Sequence, residues 1–215
     1  MAKQLDYHNI QAIFQRFQAA EPEPKGELEH VNVYTLVVAV ALSAQATDAG
    51  VNKATRGLFA VADTPEKMLA LGEEGVIEHI KTIGLFRNKA KNVIKLSRIL
   101  VEDYGGVVPS SRAALQSLPG VGRKTANVVL NMWFKQPAQA VDTHIFRVGN
   151  RTGIAPGKDV DAVERAIEDN IPAEFQQHAH HWLILHGRYI CVARKPKCLA
   201  CPINDLCRFE EKTVE

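Results

Sequence analysis

Leu118-Pro119-Gly120-Val121-Gly122-Arg123-Lys124-Thr125-Ala126 decides how this chain is read. A short helical pattern precedes it and a longer one follows. Pro119 stops the first helix, and Gly120 and Gly122 allow a tight turn without Cβ clashes. Backbone N–H groups at such a turn, next to a helix N-terminus, make an anion site. In the following helix Ala126, Val129, Leu130, Trp133 and Phe134 recur at i, i+3, i+4, i+7 and i+8, which predicts an apolar stripe. Lys124, Asn127, Asn131 and Lys135 mark the opposite, polar stripe. Lys124 then falls in the first helical turn, where the positive end of the dipole disfavours its ammonium form. An amine so placed is either a nucleophile near neutral pH or a plain phosphate contact.

Outward from this hairpin the pattern stays helical. Helices are predicted over Val31–Leu42, Asp48–Phe59, Thr64–Leu71, Glu74–Ile80, Arg87–Tyr104, Ser111–Ser117, Val160–Asn170 and Ala173–Leu185. Thr64-Pro65 is an N-cap followed by a proline in the first helical position, and Gly105-Gly106 ends the long amphipathic Arg87–Tyr104 segment. Only Val31–Tyr34 alternates like a strand, so the fold class is all-α. No tandem repeat is evident, but Ile83-Gly84-Leu85-Phe86 and the hairpin at Leu118–Gly122 both place glycine ahead of a helix.

Charge narrows the partners. The 215 residues carry a formal charge of only +2, and the 46% hydrophobic content is ample for a core. The distribution is uneven. Lys81–Arg98 holds six cations and no acid, Arg112–Arg151 holds six against Asp142 alone, and Arg188–Lys197 holds four and no acid. Acids gather at Glu21–Glu29, at Asp159–Glu174 and in the tail. Such segregation points to a positive face on a nearly neutral body, and the anion that suits it is a DNA phosphate, recognised without regard to base identity. Met1–Phe17 lacks the apolar core of a signal peptide, and Leu36–Leu42, the longest apolar run, is too short to span a bilayer. The chain is expected in the cytosol, in contact with the chromosome.

Two further groups carry chemistry. Asp142, the one acid in its basic region, can cap the helix starting near Thr143, act as a catalytic carboxylate, or do both. Cys191, Cys198, Cys201 and Cys207 form C-x6-C-x2-C-x5-C. In a cytosolic chain four clustered cysteines read as a metal site, and the spacing alone leaves structural zinc and an iron–sulfur cluster open. Arg194, Lys195 and Lys197 lie in the first interval, where tying both ends of the loop to a metal would fix their charges in space. His178, His180, His181 and His186 read as partly buried packing residues, since no acid accompanies them.

Leu118–Arg151 resembles the helix–hairpin–helix motif of the DNA glycosylases, followed by that superfamily's loop and aspartate. Leu42-Ser43-Ala44-Gln45-Ala46-Thr47-Asp48 and His181-Trp182-Leu183-Ile184-Leu185-His186-Gly187-Arg188 match its endonuclease III branch. The likeness covers nearly the whole chain. It implies Lys124 as catalytic lysine, Asp142 as catalytic aspartate, Gln45 filling the space left by a flipped base, Leu85 wedging from the other side, and Gly120, Val121, Gly122 and Arg147 at the DNA backbone. It also implies a [4Fe–4S] cluster on Cys191, Cys198, Cys201 and Cys207, with Arg194, Lys195 and Lys197 at phosphates.

The activity implied is removal of oxidised pyrimidines from double-stranded DNA, with strand cleavage at abasic sites through a lysine Schiff base, by a monomer. An adenine glycosylase of the same superfamily normally lacks the lysine at position 124 and carries an extra C-terminal domain. A non-catalytic DNA-binding or redox-sensing protein would not need Lys124 together with Asp142. The architecture implied is two helical lobes with DNA between them: a helical barrel over Gly26–Lys135 with the hairpin, and a discontinuous domain of Met1–Lys25 and Gln136–Glu215 with the cluster.

Overall fold

The computed structural model describes residues 3–213. Met1, Ala2, Val214 and Glu215, which the sequence-based division assigns to the discontinuous domain, lie outside the described residues. Among those described there are ten α-helices and no strand. They fall into two compact units, one of residues 26–135 and one built from the flanking segments.

The first unit holds α2 (Val33–Leu42), α3 (Asp48–Val61), α4 (Pro65–Ile80), α5 (Phe86–Tyr104), α6 (Arg112–Gln116) and α7 (Arg123–Met132). Helix α2 is apolar on every side, and Leu36, Val37, Val38, Ala39 and Leu42 are fully enclosed. A helix without a polar face has to be surrounded, and α2 packs against α3, α5 and α7. The alternation at Val31–Tyr34 does not make a strand. Asn32 instead caps α2 in a capping box with Thr35, whose backbone N–H donates to Asn32 Oδ1 at 2.9 Å. Helices α4 and α5 pair closely. Gly72 breaks α4 in the middle with φ 74° and ψ 169°, so Thr64–Leu71 and Glu74–Ile80 are two helical pieces joined at a kink. Gly105, in the left-handed region, ends α5.

The second unit holds α1 (Tyr7–Ala20), α8 (Thr143–Thr152), α9 (Val160–Asn170), α10 (Ala173–Tyr189) and the cysteine segment. Helix α1 has no counterpart in the sequence-based assignment. Its signals are Asp6, which accepts from Asn9 N–H as N-cap, and the buried Ile10, Ile13, Phe14 and Phe17 at i, i+3, i+4 and i+7. Phe14 stacks on Phe175 with ring centroids 5.8 Å apart, and Trp182 Nε1 donates to Glu21 O at 2.8 Å, fastening the end of α1. Helix α10 crosses α8 at Gly187, where an added Cβ would stand 2.9 Å from His144 Cβ. No described helix is long and apolar enough to cross a membrane.

Candidate functional site

In the first unit the hairpin between α6 and α7 is a tight turn closed by Val121 N–H to Leu118 O at 3.1 Å. Its two glycines differ. Gly120 takes φ 81°, and a Cβ there would meet the Asn92 side chain of α5 at 3.2–3.5 Å. Gly122 is extended at φ −85°, and a Cβ on it would meet nothing within 4 Å. Gly120 is therefore demanded by the turn, whereas nothing in the described residues demands Gly122. Leu118 and Val121 are buried at 2% and 5% exposure. Val121 thus anchors the turn from beneath, and only its backbone is available to a ligand.

Gly122 is the N-cap of α7, and no side chain caps that terminus. Lys124 lies exposed in the first turn. The polar stripe expected beyond it is not a solvent face. Asn127 and Asn131 are enclosed at 1% and 0% exposure, with Arg112 Nε donating to Asn127 Oδ1 at 2.8 Å. The helix also ends at Met132, so Trp133, 41% exposed, falls outside the apolar stripe. Helix α7 is held on both sides, by α2 and by α6, so its first turn is a rigid mount for Lys124.

Gln45 and Leu85 share a backbone feature. Both are exposed, and both occupy the left-handed region, at φ 56° and 58°. That conformation costs an ordinary residue about 1–2 kcal/mol, and such strain gathers at functional positions. The other non-glycine residues of this kind among those described are Lys135 and Lys195. Leu85 stands in the N-cap position of α5, which like α7 has no side-chain cap.

In the second unit Asp142 is the N-cap of α8, its Oδ1 accepting from His144 N at 2.9 Å and Ile145 N at 3.0 Å. Arg147 is engaged by backbone carbonyls of its own unit. Its Nε donates to Cys191 O at 2.9 Å and its NH2 to Gly187 O at 2.7 Å. Burial lowers its pKa, and these carbonyls make it a clamp between α8 and the end of α10.

The four cysteines form no disulfide and line one cavity with His186, Ile190 and Phe209. Among the described residues no three His, Cys, Asp or Glu side chains converge on a point that would hold a single ion. Thiols arrayed around a cavity suit a multi-iron cluster better than one tetrahedral zinc. Donors surround them. Arg151 NH1 lies 3.8 Å from Cys191 Sγ, Phe209 N–H 3.5 Å from Cys207 Sγ, and His186 Nε2 3.7 Å from Cys201 Sγ. Burial pushes the Cys201 thiol up to about 11 and the His186 imidazole down to about 4.

The loop between Cys191 and Cys198 is closed at its neck by Lys197 N–H to Ile190 O at 3.0 Å. Pro196 is buried, and its carbonyl accepts from the Thr213 hydroxyl. Arg151 donates to Val192 O and Ala193 O at 2.8 and 2.9 Å. Arg194, Lys195 and Lys197 project from this braced loop and are exposed. The remaining histidines pack: His180 and His181 are buried, and His178 lies 5.5 Å from the Trp182 ring. Sequence reasoning missed Arg151 and His186 as groups at the thiols; their signal was the run of helix α8 and α10 faces toward the cysteine segment.

Comparison with known proteins agrees with this geometry. Residues 38–173 match the model of the HhH-GPD superfamily base excision DNA repair proteins, and residues 191–207 match the iron–sulfur binding domain of endonuclease III. The chain is 58% identical over 200 residues to endonuclease III of Escherichia coli (strain K12), covering 93% of this chain and 95% of that protein. It is 55% identical over 203 residues to that of Treponema pallidum (strain Nichols), covering 94% and 96%. A solved structure of an endonuclease III–DNA covalent intermediate superposes with TM-score 0.88 at 44% identity, covering 95% of this chain and 97% of that one. An all-helical chain with this hairpin and this cysteine loop, matched over nearly its whole length, belongs to the endonuclease III family of helix–hairpin–helix base-excision repair enzymes.

Proposed function

We propose that Lys124 and Asp142 carry the chemistry of this DNA glycosylase and abasic-site lyase, and that its substrates are oxidised pyrimidines in duplex DNA. The observation that carries the reading is the mount of Lys124: an exposed amine on the first turn of a rigid helix, directly after a turn that leaves room at Gly122. DNA phosphates seat on the amides of Gly120–Gly122 and the uncapped N-terminus of α7. The damaged base leaves the stack, and Gln45 and Leu85, displayed on left-handed backbone, occupy the opened duplex.

The Lys124 lone pair attacks the sugar C1′. The C1′–N bond breaks, the electron pair leaves with the base, and the base takes up a proton. Opening of the sugar ring gives an iminium between Lys124 Nζ and C1′. Loss of a C2′ proton then expels the 3′ phosphate by β-elimination, and hydrolysis of the imine restores the amine. Asp142 assists proton transfer and stabilises positive charge developing on the sugar.

The cofactor is a [4Fe–4S] cluster. Cys191, Cys198, Cys201 and Cys207 would hold it as thiolates, and so held the segment would keep Arg194, Lys195 and Lys197 fixed toward phosphates. The protein works as a monomer in the bacterial cytoplasm, where its substrate is.

The test is borohydride trapping on abasic-site DNA, because hydride reduces the imine to a stable secondary amine. The wild-type protein is expected to form a covalent adduct and Lys124→Ala to form none while still binding duplex. An adduct of undiminished yield in Lys124→Ala would assign the nucleophile elsewhere.

A further inference from the structure

Helix α5 carries a lysine that the scheme above does not use. Lys89 is only 8% exposed, and its Nζ is buried with no hydrogen-bond partner. Burial lowers its pKa. An amine removed from water without a partner is costly, and a protein keeps one where function gives it a partner.

Its position indicates which partner. The Lys89 backbone N–H donates to Leu85 O at 3.0 Å, so Lys89 stands one helical turn above Leu85. Leu85 is 58% exposed, lies in the left-handed region, and occupies an N-cap position without a side-chain cap. Helical side chains lean toward the N-terminus, which carries the Lys89 stem back over that turn. Asn92, three residues on and so on a neighbouring part of the same face, is the side chain that meets Gly120 of the hairpin. Lys89 therefore lies on the side of α5 that faces the phosphate-binding turn, at a helix start whose dipole also attracts an anion.

We propose that Lys89 is a stored DNA-backbone contact: its amine waits unpaired beneath the Leu85 turn and swings out to a phosphodiester oxygen when DNA seats Leu85 in the duplex. The flexible four-carbon stem permits the swing. No protein hydrogen bond is broken by it, and a charge-assisted bond is gained. A base carbonyl is the competing acceptor, but the uncapped helix start favours the anion. The proposal rests on the reading of the hairpin and Leu85 as DNA-facing.

The experiment uses the full-length, cluster-loaded protein and a duplex bearing a tetrahydrofuran abasic analogue. Lys89→Met is expected to weaken binding about ten- to a hundredfold and to lower the slope of log affinity against log salt by about one. Lys89→Arg, which keeps the cation, is expected to recover most of the slope. Affinity lost with an unchanged slope would point to a base carbonyl and overturn the phosphate assignment. Affinity and slope both unchanged would leave Lys89 a stranded core amine and overturn the proposal outright.

A second measurement needs no variant. In protein labelled with 15N at lysine Nζ, the duplex should bring the Lys89 resonance into the range of a hydrogen-bonded ammonium, and an unmoved resonance would contradict the proposal. Failure of the wild-type protein to give a borohydride adduct would defeat the reading of Lys124 without touching the salt slope, so the two failures are separable.

Discussion

The hairpin at Leu118–Lys124 and the loop at Cys191–Cys207, both proposed to meet DNA, are built by opposite means. The hairpin is fixed by the protein alone: Leu118 and Val121 are buried beneath it, Gly120 takes the left-handed turn against Asn92, and α7 is packed between α2 and α6. What it offers a phosphate is backbone. The cysteine loop offers exposed side chains, Arg194, Lys195 and Lys197, and four thiols line a cavity beside it. A turn stabilised by packing needs no cofactor, whereas a loop with few apolar side chains of its own needs cross-links to hold its cations still.

The largest effect is expected at Asp142, the N-cap of α8 in the second unit. Asp142→Asn keeps an acceptor for the His144 and Ile145 amides, so α8 should stay capped and folded. Base release in single turnover should nonetheless slow by about 10²–10⁴, with duplex affinity little changed. An unchanged rate would leave Asp142 a cap and nothing more.

Removing the cluster should separate the two regions next. Chelation of iron, or Cys198→Ser, is expected to release three cations from their fixed positions and lower the salt slope by about three. Circular dichroism should keep nearly all of its helical signal, because the ten helices lie outside the loop. Loss of helicity throughout would show that the cluster holds up the fold and not only the loop.

The two glycines sharpen the contrast within the hairpin. Gly120→Ala forces a side chain into φ 81° against Asn92 and should destabilise the protein by about 1–2 kcal/mol, read as a lower thermal midpoint. Gly122→Ala adds a methyl to open space, so the midpoint should hold while duplex affinity falls. Equal effects from both would mean the hairpin's glycines serve folding only. The smallest effect is expected at the loop: Lys195→Ala should weaken damaged and undamaged duplexes alike by a few-fold and lower the salt slope by about one.

These regions also differ in how far the sequence reveals them. Caps and periodicity announce most helices: Thr64-Pro65 opens α4, Asp142 opens α8, and Gly105 closes α5. The cysteine spacing marks the loop as metal-binding without saying how its ends are braced. Burial is what stays hidden. Asn127 and Asn131 look like a solvent stripe but are enclosed, and Arg112 of α6 donates to Asn127. Arg147 lies in a basic stretch, and local pattern gives no sign that carbonyls forty and forty-four residues away engage its guanidinium. Helix α1 is missed although its stripe is regular, since polar residues in every turn interrupt Ile10, Ile13, Phe14 and Phe17. Long-range partners of polar side chains are not written in local pattern, and Lys89 is the extreme case.

The central claim is that the amine on the first turn of α7 forms the bond to the sugar. It is tested most directly by reducing the wild-type complex on abasic-site DNA with borohydride, digesting the protein, and locating the modified residue by mass spectrometry. The account predicts a sugar-derived mass on Lys124 alone. The same mass on Lys89, Lys195 or any other lysine, with Lys124 unmodified, would contradict it.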